Sequence, residues 1–435
     1  MSEQSGGGMK SGYDVLKERG FIEQFTDEAL ITEQFAGEPV TCYIGFDPTA
    51  TSLHIGSLVP IMALAHMQQT GNKPIALVGG GTGLIGDPSG KSEMRQVLTR
   101  EQIDYNAKCL GKQLSKYIDF TDGKALLLNN ADWLTKINYI EFLRDIGRHF
   151  SVNRMLAAES YKIRLEKGLN FIEFNYMILQ GYDFLYLFQH HGCALQMGGN
   201  DQWGNMLAGT ELIRKVEAKD AHALTFPLIT TSLGQKMGKT EKGTVWLDAE
   251  LTKPYEYYQY WVNCDDADVE RFLKLFTFLP LSDIAVVKTL ADARLNMAKA
   301  VLAYEATKVT HGAEAAKAAW RASMEAFHSR PVDADLFTSS DIPREAPEAD
   351  TSAIPRYSIT GKDLAAGLLV ASLCAKSGLT QSMSEAKRLI EQGGIYIGER
   401  QVKTVDEKLS IDDFTGGREL RIRKGKKKYL IIEIN

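Results

Sequence analysis

Tyr43-Ile44-Gly45-Phe46-Asp47-Pro48-Thr49-Ala50-Thr51-Ser52-Leu53-His54-Ile55-Gly56-Ser57 begins as an apolar strand. It turns through a glycine and an Asp-Pro pair and enters a helical pattern with a histidine and a glycine in its first turn. A helix N-terminus presents free N–H groups and the positive end of a dipole, so an anion placed there is stabilised before any side chain is counted. The same residues read equally well as an ordinary capped helix start, with His54 as a cap or a packed ring. Outward from this stretch, Val40 to Phe46 is the first strand. Leu53 to Gln69 is the first helix, with Leu53, Leu58, Ile61, Leu64 and Ala65 in an apolar stripe closed by Gly71-Asn72. Pro74 to Val78 is a second short apolar strand, as central parallel strands are. Strand, helix, strand over this span is a βαβ unit, which sets the fold class as α/β with a Rossmann-like parallel sheet.

Six glycines fall among the thirteen residues Gly79 to Lys91. Glycine lets the backbone approach a ligand closely, and the interspersed Leu84-Ile85 and Asp87-Pro88 argue against a plain flexible connector. The segment does not satisfy the spacing of a P-loop. Lys124 to Asn129 reads as a strand, Tyr139 to Phe150 as a helix and Val152 to Arg164 as an amphipathic segment, whose Arg154, Lys162 and Arg164 suit a solvated face. Phe171 to Phe188 is apolar nearly all round and so a buried helix. Yet Tyr176, Gln180 and Asp183 fall at i, i+4 and i+7 and share one face. A buried polar stripe must find partners, either in neighbouring backbone or in a small polar ligand. Cys193 to Met197, running into Gly198-Gly199-Asn200-Asp201-Gln202-Trp203 and a helix to Val216, repeats the order strand, glycines, carboxylate, helix. Leu224 to Thr230 is a further strand leading to Gly234-Gln235-Lys236-Met237-Gly238-Lys239-Thr240, a polar loop with two lysines. In open α/β sheets such loops converge at the carboxyl ends of the strands.

The chain has 435 residues, 44% apolar and 24% charged, with a net charge of −5, and reads as two to four soluble domains. No apolar run is long enough to span a bilayer, and Met1 to Lys10 lacks a signal-peptide core, so a cytoplasmic location and no membrane partner are expected. The five cysteines are dispersed with no C-x-x-C pair, suiting buried thiols and no metal site. Charge is uneven. Arg356 to Asn435 holds 15 Lys and Arg against 10 Asp and Glu, a net of +5, while the remainder holds 35 against 45, a net of −10. A basic end on an acidic body points to a polyanion at that end. The expected organisation is a disordered tail over 1–10, the Rossmann-like catalytic domain with an inserted connective segment over 11–250 and a helical domain over 251–328. A proline-bearing linker over 329–357 and a small α+β RNA-binding domain over 358–435 complete it.

From about Tyr13 to Asn435 the chain resembles the bacterial-type tyrosyl-tRNA synthetases, class I aminoacyl-tRNA synthetases. His54-Ile-Gly-Ser57 stands where that family has its HIGH signature and Lys236-Met-Gly-Lys-Thr240 where it has KMSKS, in the expected order and on the expected elements. Ser57, Gly238 and Thr240 depart from the signatures. The resemblance implies that Tyr43 and Asp183 bond the phenol of L-tyrosine, and that Asp87, Tyr176 and Gln180 hold its α-ammonium. Gln202 and Asn130 would make further substrate contacts. Gly45, Asp47, Thr49, His54, Gly56, Gly199 and Asp201 would bind ATP, with Lys91 and Arg95 on a loop over the phosphates and Lys236 and Lys239 on the pyrophosphate. Arg214 and Lys215 would meet the tRNA acceptor stem, and Arg421, Arg423 and Lys424 would lie on an S4-like RNA-binding module. It further implies Mg²⁺ with the ATP, tRNA(Tyr) as partner and a homodimer. A tryptophan-specific sister, a small-metabolite adenylyltransferase and an inactive RNA-binding paralogue share parts of the pattern. Asp183 opposite Tyr43, residues 250–435 and the retained lysines respectively speak against them.

Overall fold

The computed structural model describes residues 10–435 apart from 89–97, 159–160, 163–164, 167, 233, 235–236, 238, 241–242, 328–329, 346–353, 415–416 and 426–427. Lys91, Arg95 and Lys236 lie outside the described residues, as does most of the expected N-terminal tail. Of Lys239 only the backbone is described.

Thr41–Phe46 (β2) is buried on both faces except at the half-buried Thr41 and at Gly45, as expected of a strand flanked in a parallel sheet. Lys73–Val78 (β3) and Leu126–Asn129 (β4) lie on one side of it, Leu195–Gly199 (β5) and His222–Phe226 (β6) on the other, all parallel. Gln24–Phe25 (β1) closes the β6 edge antiparallel, giving the order β1-β6-β5-β2-β3-β4. β2 is therefore the strand at which the connections turn opposite ways, and the crevice at its carboxyl end is the natural ligand position. The N-terminal helices Gly12–Arg19 and Glu28–Phe35 flank β1 and form with it a brace at this edge of the sheet. The Arg19 guanidinium donates to the carbonyls of Lys274, Thr277 and Leu279 and is only 8% exposed, tying the brace to residues 274–279.

The first helix does not start at Leu53. A short 3₁₀ turn, Ile55–Ser57, precedes the α-helix Leu58–Gln69, and Gly71 ends it at φ +82°. β6 stops at Phe226, before Pro227, which cannot donate to the ladder, rather than at Thr230. β5 runs two residues past Met197, so Gly198 and Gly199 belong to the strand end. Arg100–Leu114, on which the sequence reading is silent, is a helix opened by a Thr99/Gln102 capping box.

By contact the described residues form two units. The first comprises residues up to Lys239 with Thr244–Thr252 and Glu270–Leu281, and the second Thr240–Gly243, Lys253–Val269 and Ser282–Asn435. Short strands β7 (Lys239–Thr240) and β8 (Gly243–Thr244) lie at the division. In the second unit the helices Pro254–Val262, Asp292–His311 and Ala313–Phe327 pack together. A five-stranded sheet follows: Arg356–Ile359 (β9), Ile395–Ile397 (β10), Arg400–Gln401 (β11), Glu419–Lys424 (β12) and Lys428–Ile434 (β13), in the order β11-β10-β12-β13-β9. Leu430 and Ile432 face the helices of their own module, while Ile431 faces Tyr255, Ala322 and Ala326, the alternation a strand imposes. Residues 330–345, expected as part of an extended linker, instead bury Val332, Leu336, Phe337 and Ile342. Arg344 there donates to the carbonyls of Asp333, Leu336, Phe337 and Ser340.

Candidate active site

A cleft of about 410 Å³ opens at the carboxyl ends of β2 and β5. Its lining includes Tyr43, Gly45, Asp47, Thr49, His54, Gly56, Asp87, Asn130, Tyr176, Gln180, Asp183, Gly199, Asp201 and Gln202. The polar face of the helix Phe171–His191 thus joins the strand-end residues in one place.

The closed end is built around Asp183, which is 2% exposed. Asn130 Nδ2 donates to one carboxylate oxygen at 2.8 Å and Trp133 Nε1 to the other at 2.7 Å. Burial pushes the Asp183 carboxyl up to about 7 against the pull of these two bonds, and the Asp47 charge adds to the rise. Asn130 also accepts from Gly81 N at 2.7 Å and donates to Thr82 Oγ1 at 3.0 Å, so it couples the glycine loop to Asp183. Beside this assembly Tyr43 is 1% exposed, and no described residue hydrogen-bonds its Oη. Burial and the Asp183 carboxylate hold the phenol well above its ordinary range, hence neutral. Gln196, the register partner of Tyr43 across β2 and β5, likewise has a buried Oε1 with no partner among the described residues. Two such polar atoms on neighbouring strands of a buried cleft are costly unless a ligand supplies partners.

Toward the mouth, Gln202 Nε2 donates to Asp87 at 2.7 Å, and Asn205 Nδ2 donates to Gln180 at 3.0 Å and to Gln202 at 3.3 Å. Tyr176 Oη lies 3.5 Å from both Asp47 oxygens. Four carboxylates, Asp47, Asp87, Asp183 and Asp201, line the cleft, and no Lys or Arg does so among the described residues. Such a wall attracts an ammonium group.

His54 precedes the helical turn in extended backbone, correcting its expected place in the first turn, and its Nδ1 accepts from Gly56 N–H at 3.0 Å. An Nδ1 that accepts leaves the ring proton on Nε2, so the imidazole is a donor on that side. A Cβ at Gly56 would stand 2.8 Å from His54 Cε1, so glycine is needed for this ring position. It would also lie 3.5 Å from the Met237 carbonyl, so Met237 stands beside Gly56. Ile55 N bonds Val245 O and Leu247 N bonds Leu53 O, fixing the chain after that loop to the same turn. At Gly45, by contrast, a Cβ would meet nothing within 4 Å, because the position faces the open cleft. The helix Arg100–Leu114 braces the turn: Asn106 donates to Pro48 O, and Gln113 bonds Leu53 N and Ser52 Oγ.

Trp133, Thr82, Gln196, Asn205, Asn106 and Gln113 were not singled out in the sequence. Only Gln196 carried a usable signal, since it lies in β5 one strand from Tyr43. The expected RNA contacts lie elsewhere. Arg154, Arg214 and Lys215 surround Glu211, leaving a local excess of positive charge beside a second cleft of about 690 Å³. In the C-terminal sheet Arg421 pairs with Glu325 and Lys424 with Glu385, and Arg423 lies 3.6 Å over the Tyr396 ring. These three side chains are thus engaged within the chain. No group of three His, Cys, Asp or Glu suited to a metal gathers among the described residues.

A family model for class I tRNA synthetases (W and Y) matches residues 36–328, and one for a tyrosine–tRNA ligase SYY-like C-terminal domain matches residues 348–432. The chain is 62% identical to a tyrosine–tRNA ligase of Syntrophus aciditrophicus over 98% of its own length and 99% of the relative's. It is 55% identical to one of Desulfosudis oleivorans over 97% and 98%. Among solved structures, a C-terminally truncated Aspergillus nidulans mitochondrial tyrosyl-tRNA synthetase is similar with a TM-score of 0.66 and 32% identity, over 72% of this chain and 93% of that one.

Proposed function

The chain belongs to the class I tRNA synthetases of the tryptophan and tyrosine branch, and from that premise we propose that it is a tyrosine–tRNA ligase whose cleft activates L-tyrosine with ATP. The observation that carries the choice of amino acid is the buried Tyr43 Oη, without a hydrogen-bond partner among the described residues, beside an Asp183 held by Asn130 and Trp133. A phenol hydroxyl can donate to Asp183 and accept from Tyr43 at once, and phenylalanine would leave the Tyr43 hydroxyl without a partner and deny Asp183 a donor beyond Asn130 and Trp133. Loss of such pairs is the established basis of tyrosine selectivity in this enzyme class.

Asp87, oriented by Gln202, is assigned with Tyr176 and Gln180 to the α-ammonium. Gly45, Asp47, Thr49, His54, Gly56, Gly199 and Asp201 are assigned to the nucleotide. The substrate carboxylate, ionised at neutral pH without a general base, attacks the α-phosphorus. A carboxyl-oxygen-to-phosphorus bond forms, the bond to the bridging oxygen breaks, and pyrophosphate leaves with the electron pair. His54 Nε2–H would stabilise charge on the phosphates, together with Lys91, Arg95, Lys236 and Lys239. The nucleotide's triphosphate would bring Mg²⁺, which would supply further neutralisation of the phosphate charge. In the second step a terminal ribose hydroxyl of tRNA(Tyr) attacks the carbonyl carbon and AMP departs. Arg214 and Lys215 are assigned to the acceptor stem, and Arg421, Arg423 and Lys424 to an RNA face that opens only if their internal pairs exchange for phosphates.

A homodimer is supported by the exposed apolar side chains crowded into one segment: Tyr139, Ile140, Val152, Phe171 and Ile172. No helix among the described residues is long and apolar enough to cross a membrane, and a cytoplasmic location is proposed. The test is ATP–pyrophosphate exchange by the full-length protein with tyrosine, tryptophan and phenylalanine. Exchange dependent on tyrosine alone is expected, and exchange with tryptophan but not tyrosine would overturn the reading.

A further inference from the structure

Asp183, Tyr186 and His190 lie on one face of the helix Phe171–His191, three and then four residues apart. Above them Trp133 projects from the four-residue helix Ala131–Leu134. The Trp133 and Tyr186 rings are stacked with centroids 4.2 Å apart and planes 13° from parallel. The Tyr186 and His190 rings are stacked at 4.0 Å and 18°. The outer ring is itself held, because His190 Nδ1 lies 2.9 Å from the Tyr186 carbonyl. The column runs from the exposed His190 through the half-buried Tyr186 to the buried Trp133, whose Nε1 meets Asp183 Oδ1 at 2.7 Å.

A single short turn of helix does little to fix an indole, and the angle at which Nε1 meets a carboxylate oxygen decides the strength of that bond. We infer that Tyr186 is a positioning residue for substrate selection: clamped by His190, its ring sets the plane of Trp133 and thereby the acceptor geometry of Asp183, without touching the substrate. This rests on the reading of Asp183 as the acceptor for the substrate phenol. Tyr186 acts through its ring face, so its hydroxyl is dispensable.

The test uses full-length wild type, Tyr186→Leu, Tyr186→Phe, Trp133→Phe and the Tyr186→Leu/Trp133→Phe double variant in pyrophosphate exchange. Tyr186→Leu should raise KM for tyrosine by roughly two- to tenfold, the range an aromatic stack supplies. It should lower tyrosine-over-phenylalanine discrimination by a similar factor and leave KM for ATP within about twofold of wild type. Tyr186→Phe should keep wild-type KM for tyrosine and wild-type discrimination. The double variant should be no worse than Trp133→Phe alone, since both act through one bond. Should Tyr186→Leu fail to fold, Tyr186→Met takes its place in every comparison. A tyrosine KM unchanged in Tyr186→Leu while Trp133→Phe is impaired would overturn the inference and leave the subsite reading intact. Losses in Tyr186→Leu that are equal for tyrosine and phenylalanine, or that add to those of Trp133→Phe, would also overturn it. If Trp133→Phe and Asp183→Asn both retain wild-type tyrosine KM, it is the subsite reading that fails.

Discussion

Replacing Tyr43 with phenylalanine separates the requirements of folding from those of binding. The Tyr43 hydroxyl is buried, neutral and without a hydrogen-bond partner among the described residues. An unsatisfied buried polar group costs about 1–3 kcal/mol, and Tyr43→Phe removes the group while keeping the ring that packs 5.4 Å from Phe184. The ligand-free variant should therefore be at least as stable as wild type, with an equal or higher thermal midpoint. In the complex the same change removes one neutral hydrogen bond to the substrate phenol, worth about 0.5–1.5 kcal/mol, or roughly a two- to twelvefold rise in KM for tyrosine. Stability and affinity should thus move in opposite directions. Saturating tyrosine should also raise the midpoint less in the variant than in wild type at equal ligand concentration. Thermal unfolding with and without tyrosine, together with steady-state exchange, measures all three. A ligand-free midpoint clearly below wild type, or an unchanged tyrosine KM, would show that the hydroxyl is satisfied within the protein, and the reasoning would fail.

Three further outcomes are expected. Asp183 has its folded pKa raised to about 7 by burial, against about 4 when unfolded, so its contribution to stability is lost as pH rises between those values. The midpoint of wild type relative to Asp183→Asn should therefore decline between about pH 4 and pH 7, and parallel curves would refute the assignment. Gly56→Ala should lower kcat about tenfold or more, because its Cβ would stand 2.8 Å from His54 Cε1 and displace the ring. Gly45→Ala, with nothing near its Cβ, should fold normally and raise KM for ATP; the reverse pattern would contradict the assignment of these two glycines. Removing residues 356–435 should abolish tRNA charging while tyrosine activation persists. The truncated protein should also bind an apolar dye more strongly, because Tyr255, Ala322 and Ala326 lose Ile431, and loss of activation as well would argue against modular roles.

The βαβ core around Tyr43 to Ser57 was legible because its signals are local: short apolar strands, an apolar helix stripe and a glycine stop are set by neighbours within a few residues. The same holds for the stripe Tyr176, Gln180 and Asp183, where helical periodicity alone puts three polar groups on one buried face. Local periodicity said less at β12, where the sequence shows closely spaced basic residues, Arg421, Arg423 and Lys424. There Leu420 and Ile422 alternate inward while Arg421 and Arg423 stay at the surface, a pattern visible only once pairing with β10 and β13 sets the register.

What the sequence by itself determined is which chemical groups the cleft holds: carboxylates, a phenol, an imidazole and glycines at strand ends. Only the tertiary structure decided how they are aimed. Asn130 and Trp133 reach Asp183 across 53 and 50 residues of chain, and Gln113 reaches Leu53 across 60. No local preference encodes such partners, since a hydrogen bond depends on distance and angle rather than on separation along the chain. The orphaned hydroxyl of Tyr43 is of the same kind, because a polar group becomes unpaired only when the fold has removed water from it.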